Sequence, residues 1–451
     1  MADAFLAIRG DGAVTVHPFL QQLHDAELVR PVGVVRMVRH GHVEATGPNC
    51  ALGDLCEIAC DDGVLMAEVA GVEDGSLTLV PLEQGRQLRP GMRVHPVKGG
   101  SAAAVGDGFA GRAIDGLGRA IDGKGPVSRD AFAPLAGSMP GPLERVATGR
   151  RLTTGLRAID GLLTLTEGQR VGVFAAAGVG KTSLIEQFAR QIASDRCVLC
   201  LVGERGREVE SLWRVLSARA DATRFTLVAA TSDETAAVRA RAPRLALSLA
   251  EYWRDRGEHV LLIIDSITRF AMAQREIGLA AGEPPTVRAY TPNVFAALPR
   301  LVERCGAVQA GGAITALMTV LSETDDLDDP IVEVMKSLLD GHILLSRTLA
   351  ERGHFPAIDV SRSISRQAAK VMDSSHAAVA RSAISQLGVY EEARIMIESG
   401  VYKAGSNAEI DKAIETRERL MDFLRQSQND NSSFSNTLAG LRNALRIAAN
   451  G

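Results

Sequence analysis

The sequence predicts an α/β protein in which a doubly wound, largely parallel sheet stands between a small N-terminal β-barrel and a C-terminal helical region. Three observations predict it. Residues 31–97 carry short apolar alternations broken by turns such as Asp61-Asp62-Gly63 and Glu73-Asp74-Gly75, the spacing of barrel strands. Residues 98–371 alternate apolar, β-branched runs with helical stretches, a pattern that suits parallel strands covered on both faces. Residues 372–451 lose the strand-like runs and keep a helical period.

Taken in chain order, residues 1–30 form a separate segment in which Phe19, Leu20, Leu23 and Glu27 suit an amphipathic helix. Within the barrel, Cys50, Cys56 and Cys60 lie in alternating sequence and read as buried thiols. Cys197-x-x-Cys200 has metal or redox spacing. It falls inside a buried strand with no second pair or histidine cluster after it, so it too reads as buried thiols. The acidic run Glu323-Thr324-Asp325-Asp326-Leu327-Asp328-Asp329-Pro330 interrupts the middle region and reads as a solvated loop rather than a metal site. Further on, Ser406-x-x-Glu409 fits a capping box after the turn glycines Gly400 and Gly405. Asn429-Asp430-Asn431-Ser432-Ser433 reads as a hinge before a last amphipathic helix through Leu438, Leu441 and Leu445.

The chemistry concentrates in Gly172-Val173-Phe174-Ala175-Ala176-Ala177-Gly178-Val179-Gly180-Lys181-Thr182-Ser183-Leu184. A buried strand runs into a loop of small residues and then into a helix. Such a loop wraps its backbone N–H groups around phosphate oxygens, here from Ala176, Ala177, Gly178, Val179 and Gly180 on to Lys181, Thr182 and Ser183. Lys181 is spaced to reach the β- and γ-phosphates of a nucleoside triphosphate, and the Thr182 hydroxyl to ligate Mg²⁺. Ala175 stands where the G-x-x-x-x-G-K-[ST] pattern has its first glycine, a place that tolerates a methyl group if φ is negative.

Two carboxylates extend binding towards hydrolysis. Asp265 follows the run Val260-Leu261-Leu262-Ile263-Ile264, at the carboxyl end of a central strand, and is placed to hold Mg²⁺ through water. Glu204 ends the strand after the phosphate-loop helix, Val198-Leu199-Cys200-Leu201-Val202-Gly203, and is placed to orient the attacking water. Glu208 is its competitor. It sits later in a charged run and reads as a surface or interface partner of Arg205 or Arg207.

Composition bounds the rest. The 451 residues exceed one hydrophobic core and predict two to three domains. With 50 basic and 54 acidic residues the net charge is −4, so no basic field points to nucleic acid. No apolar run approaches the ~18 residues of a membrane span. Met1-Ala2-Asp3-Ala4-Phe5-Leu6 lacks the charged start and long apolar core of an export signal, which predicts a cytoplasmic location.

Gly203-Glu204-Arg205-Gly206-Arg207-Glu208-Val209 resembles the catalytic-glutamate motif of the bacterial protein-export ATPases that serve flagella and type III secretion injectisomes. The long run from Asp265-Ser266-Ile267-Thr268-Arg269-Phe270 to Gly282-Glu283-Pro284-Pro285 is close to a signature of the same family. So are Val294-Phe295-Ala296-Ala297-Leu298-Pro299-Arg300-Leu301, Leu339-Asp340-Gly341-His342-Ile343 and His354-Phe355-Pro356-Ala357-Ile358-Asp359-Val360. The resemblance covers roughly residues 31–426. It implies a RecA-like core related to the catalytic subunit of rotary ATP synthases, hydrolysis of ATP with Mg²⁺, and a homohexameric ring. It also implies a stator-like regulator, a central stalk, export-gate proteins and chaperone–substrate complexes as partners, with the ring docked peripherally on the inner membrane.

Residue roles carry over one at a time. Ser363-Ile364-Ser365-Arg366 resembles the segment that supplies an arginine finger to the neighbouring subunit's nucleotide, with Arg362 as the alternative. Phe355 matches an aromatic position that packs on adenine, or else is a core aromatic before a proline turn. Arg269 and Arg205 match positions lining the phosphate site or the subunit boundary. Ala175-Ala176-Ala177 and Ala230-Thr231-Ser232-Asp233 look more like the injectisome branch than the flagellar one. Three rival readings are a rotary synthase catalytic subunit, a ring-shaped RNA helicase and a non-catalytic ring subunit. The departure of residues 203–209 from the synthase version, the near-neutral charge and Glu204 weigh against them in turn.

Overall fold

Alternating apolar side chains turn the first six strands inward on one another. In the computed structural model, which describes residues 31–97, 99–147, 149–321 and 329–447, they form a closed barrel. Its strands are Gly33–Arg39, His42–Thr46, Leu55–Cys60, Gly63–Glu73, Ser76–Pro81 and Arg93–Val97. Val35, Val43, Ile58, Leu65, Leu79 and Val94 fill the interior. The expected helix within residues 1–30 and most of the acidic run, residues 322–328, lie outside the described residues.

A ten-stranded sheet follows. Its parallel strands lie side by side in the order Gly341–Leu344, Arg170–Ala175, Ala313–Leu321, His259–Asp265, Arg196–Glu204, Phe225–Thr231 and Ala113–Asp115. These strands are buried on both faces, as their unbroken apolar runs require. One face packs on the helices Ala236–Arg254, Ile267–Ala280 and Pro292–Val302. The other packs on Lys181–Gln191, Gly206–Ser217 and the C-terminal helices Ser374–Glu398, Ala408–Leu424 and Phe434–Ala444. Cys197 and Cys200 belong to opposite faces and cannot converge on one ion, and burial pushes the Cys197 thiol up to about 12.

Two local expectations change. The cap of the helix Ala408–Leu424 is Asn407, whose side chain accepts from the N–H groups of Glu409 and Ile410. Ser406 instead donates to the Lys403 carbonyl at 2.6 Å, so the cap is displaced by one residue, and with Ile410 three positions after Asn407 no capping box forms. The segment expected as a hinge is tied down. The Asp430 carbonyl accepts from Gln191 at 2.8 Å and Gln187 at 3.3 Å on the phosphate-loop helix, and Ser432 N–H donates to Gly155. Of the acidic run, Asp329 caps the helix Pro330–Leu338 and pairs with Arg288 at 3.0 Å.

Candidate active site

The strand Arg170–Ala175 delivers the phosphate loop at its carboxyl end. Ala175 is its last residue, in extended backbone, so the methyl group in place of the usual glycine meets no conformational penalty. Gly178 and Gly180 have φ of +79° and +92°, the left-handed region in which a side chain is disfavoured. Among the described residues, the backbone N–H groups of Ala177, Gly178, Val179 and Gly180 have no protein partner. With the first N–H groups of the helix Lys181–Gln191 they form a cradle of unspent donors, which fits a polyphosphate.

Lys181 is held between the two predicted carboxylates. Its Nζ donates to Glu204 Oε1 at 3.2 Å and to Asp265 Oδ1. Burial alone would lower the Lys181 pKa, but the two carboxylates outweigh it and hold the ammonium above the ordinary lysine value. Glu204 moves the other way from an ordinary acid. Burial raises its pKa, Lys181 draws it back, and Asp265 and Glu208 add to the rise. Thr182 and Ser183 are exposed at the helix start, beside the donor cradle. A hydroxyl there and the Asp265 carboxylate, at the end of the strand next but one, make the oxygen-rich set that suits Mg²⁺.

A bulge decides where Glu204 points. Cys197, Leu199 and Leu201 face the phosphate-loop helix, whereas Val198, Cys200 and Val202 face the other side. Strict alternation would send Glu204 with Val202, away from Lys181. Instead Val202 pairs with Ala230 and Glu204 with Thr231, leaving Gly203 as the extra residue. Gly203 has φ +67°, and a methyl group on it would lie 3.2 Å from the stem of Arg269.

The structure brings some predicted residues to this place and keeps others apart. Arg269 packs on Gly203, next to Glu204. Phe355 is 45% exposed beside Gly180, where a Cβ would approach its ring to 3.3 Å, so it is not a core aromatic. Arg205 is exposed at the N-cap of the helix Gly206–Ser217. Glu208 is in the first turn of that helix and forms no ion pair with Arg205 or Arg207 among the described residues, a correction to its expected pairing.

Arg366 does not reach the site of its own chain. Its N–H donates to the carbonyl of Asp340, whose carboxylate accepts from Arg170 Nε at 3.0 Å, at the amino end of the phosphate-loop strand. A six-residue strand separates that end from the loop, roughly 17 Å. The Arg366 guanidinium is exposed, with one contact to the Lys336 carbonyl at 3.3 Å, and Arg362 is exposed nearby. Thr319 stands outside the motifs but inside the site, buried, its hydroxyl 2.6 Å from Asp265 Oδ1. Its one sequence signal is a hydroxyl in the otherwise apolar second half of Ala313–Leu321.

The family model described as the ATP synthase alpha/beta family, nucleotide-binding domain, matches residues 155–365. A second, the T3SS EscN ATPase C-terminal domain, matches residues 372–443. The chain is 42% identical over 428 residues to the type 3 secretion system ATPase of Xanthomonas euvesicatoria, covering 93% of this chain and 97% of that protein. The chain belongs to the type III secretion and flagellar export ATPase family. A flagellar member, the flagellum-specific ATP synthase of Bacillus subtilis, is 41% identical over 418 residues, 91% of this chain and 94% of its own. In three dimensions the chain matches the assembled ATPase EscN of the enteropathogenic E. coli type III secretion system. The TM-score is 0.87 at 37% identity, over 92% of this chain and 100% of that one. EscN in complex with its central stalk EscO matches with a TM-score of 0.82 at 36% identity, over the same shares. The predicted family, fold class and enzyme class therefore hold for this chain.

Proposed function

We propose that this family member hydrolyses ATP as a homohexameric ring to energise protein export, with each active site shared by two subunits. The observation that carries the reading is Lys181 Nζ set between Glu204 and Asp265, at the mouth of a loop of unpartnered N–H groups. The loop binds the phosphates and Lys181 moves its charge onto the β- and γ-oxygens. Thr182 and Asp265 hold Mg²⁺, which when bound neutralises charge on those oxygens. Released from Lys181, Glu204 is free to orient and polarise a water for attack on the γ-phosphorus. Phe355 offers its exposed ring to the base, and Arg269 supports the turn that aims Glu204. Arg205 borders the subunit boundary.

Arg366 supplies the γ-phosphate of the adjacent subunit with positive charge, and Arg362 flanks it. Its exposure, and its place a strand's length from its own phosphate loop, support a role in trans. Head-to-tail contacts of that kind close into rings. The boundaries 1–30, 31–97, 98–371 and 372–451 divide the chain into assembly segment, barrel, ATPase core and helical domain. The last barrel strand ends at Val97 and the first long C-terminal helix begins at Ser374, in support of that division.

The ring works in the cytoplasm, docked peripherally at the inner-membrane export apparatus, where it releases chaperones and unfolds cargo. Among the described residues no helix is long and apolar enough to cross a membrane. Partners of the kind named for EscN, a central stalk, fit this chain, along with a stator-like regulator and export-gate proteins. The alanines Ala175, Ala176 and Ala177 and the turn Ala230-Thr231-Ser232-Asp233 favour an injectisome. Deleting the gene then abolishes effector secretion and spares motility; lost motility would assign the chain to a flagellum.

The test of the catalytic reading is Mg-ATP hydrolysis per subunit over a wide range of protein concentration, beside Glu204→Gln. Specific activity that climbs with concentration and collapses in the variant is expected. A flat profile with activity retained in Glu204→Gln overturns both the shared site and the assigned base.

A further inference from the structure

We infer that Thr319 is a positioning residue that fixes which oxygen of Asp265 faces the metal, an inference that rests on the Mg²⁺ role proposed for Asp265. The strand Ala313–Leu321 lies between the strands that carry the phosphate loop and Asp265. Thr319 pairs with Val173 in the register and belongs to the sheet face of Leu317 and Ile263, the face on which Lys181 stands. Its Oγ1 is fully buried and lies 2.6 Å from Asp265 Oδ1, the length of a charge-assisted O–H···O⁻ bond. The alternative acceptor, the Ile264 carbonyl, is 3.5 Å away, too long to compete. A carboxylate only accepts, so the hydroxyl donates.

Thr315, two repeats of the pleat earlier on the same face, provides the contrast. Its hydroxyl meets Gly168 N–H at 2.8 Å and His259 Nε2 at 2.7 Å, partners that belong to the scaffold. The Thr319 hydroxyl has its one short contact with the carboxylate of the site. Asp265 Oδ1 thus receives both Lys181 and Thr319, whereas Oδ2 accepts from no described residue. Once Lys181 turns to the phosphates, Thr319 is the remaining donor on Oδ1. It keeps the carboxylate from rotating and leaves Oδ2 directed at the metal and its water. A valine in its place fills the same volume and loses that hold.

The test is Mg²⁺ titration of the binding of a fluorescent ATP analogue, read without turnover, for Thr319→Val, Thr319→Ser, Thr319→Cys and Asp265→Asn. Thr319→Val is expected to raise the half-saturating Mg²⁺ concentration about tenfold, the scale of one lost hydrogen bond to a charged group, with Mg²⁺-free binding unchanged. Thr319→Ser restores the wild-type value and Thr319→Cys, a weak donor of similar size, falls between them. Unchanged half-saturation in a folded Thr319→Val sinks the inference, and so does a Thr319→Ser that behaves like valine. If Thr319→Val does not fold, Thr319→Cys carries the same decision. Asp265→Asn separates the two levels: should it leave the Mg²⁺ dependence intact, the metal role of Asp265 itself fails. Loss in Asp265→Asn with none in Thr319→Val refutes Thr319 alone.

Discussion

At the scale of single residues, Lys181 acts as a shared counter-ion. Glu204 and Asp265 bring two negative charges to one pocket, and burial disfavours both. The ammonium between them makes the cluster tolerable. The same geometry separates binding from chemistry. Under the proposed function phosphate contacts come from the loop and Lys181, while Glu204 makes no hydrogen bond to the loop backbone or to Thr182 among the described residues. Glu204→Gln is therefore expected to keep nucleotide affinity within a few-fold, measured by fluorescent-analogue binding. Its turnover falls by about 10²–10⁴, the range of general-base catalysis. Retained turnover with lost binding would point to a structural glutamate.

At the scale of elements, one extra residue aims Glu204. The bulge at Gly203 turns Glu204 from the Val202 face to the Lys181 face; its left-handed backbone disfavours a side chain, and a methyl group would press on Arg269 at 3.2 Å. Gly203→Ala is expected to cost roughly 1–2 kcal/mol of conformational strain and to lower kcat more than ATP affinity. A variant with wild-type kcat would mean that the bulge does not set the site. The far edge of the sheet carries a second device. Arg112 holds Asp122 through contacts of 2.7 Å and 3.0 Å, and Ala113 N–H, in the strand Ala113–Asp115, donates to the same carboxylate. Those bonds hold the Asp122 carboxyl well below the ordinary range, the Arg112 hydrogen bond most of all. A lowered folded-state pKa adds stability that is complete above the unfolded value near ~4 and is lost as pH falls towards the folded one. The melting-temperature gap between wild type and Asp122→Asn should thus be widest at neutral pH and shrink below about pH 4. A gap that stays constant down to acid pH would exclude the ion pair as its source.

At the scale of the whole molecule, the loop and Arg366 lie at opposite ends of the same strand layer, and the proposed shared site requires a ring of copies to join what one copy separates. Complementation follows from that layout. Arg366→Ala and Glu204→Gln proteins are each expected to be inactive alone. Mixed in equal amounts and allowed to reassemble, they should recover hydrolysis at about a quarter of the sites. Those are the sites with Glu204 from one protein and Arg366 from its neighbour. No recovery in mixtures shown to co-assemble would place both residues in one subunit's site. The C-terminal helices join the same circuit through Asp430, whose carbonyl is bonded to Gln187 and Gln191 of the phosphate-loop helix.

Much of this protein was legible in local sequence. Apolar period and turn spacing separate barrel, parallel sheet and helices, because those signals depend on residues close together in the chain. The phosphate loop around Lys181 and Thr182 is local for the same reason, and a carboxylate directly after a buried run must emerge at the strand's carboxyl end. Partner choice across the sheet is a different matter. Asp265 and Thr319 are 54 positions apart, and their contact exists because Ala313–Leu321 inserts between two other strands. The bulge at Gly203 depends on the register with Phe225–Thr231, which no residue near Gly203 encodes. The fastening of residues 429–433 and the remoteness of Arg366 from Lys181 arise in the same way. Sequence alone picked out the groups proposed to do chemistry and the kind of element on which each stands. Tertiary structure decided which of them meet, because strand order and register are set by the packing of the whole sheet.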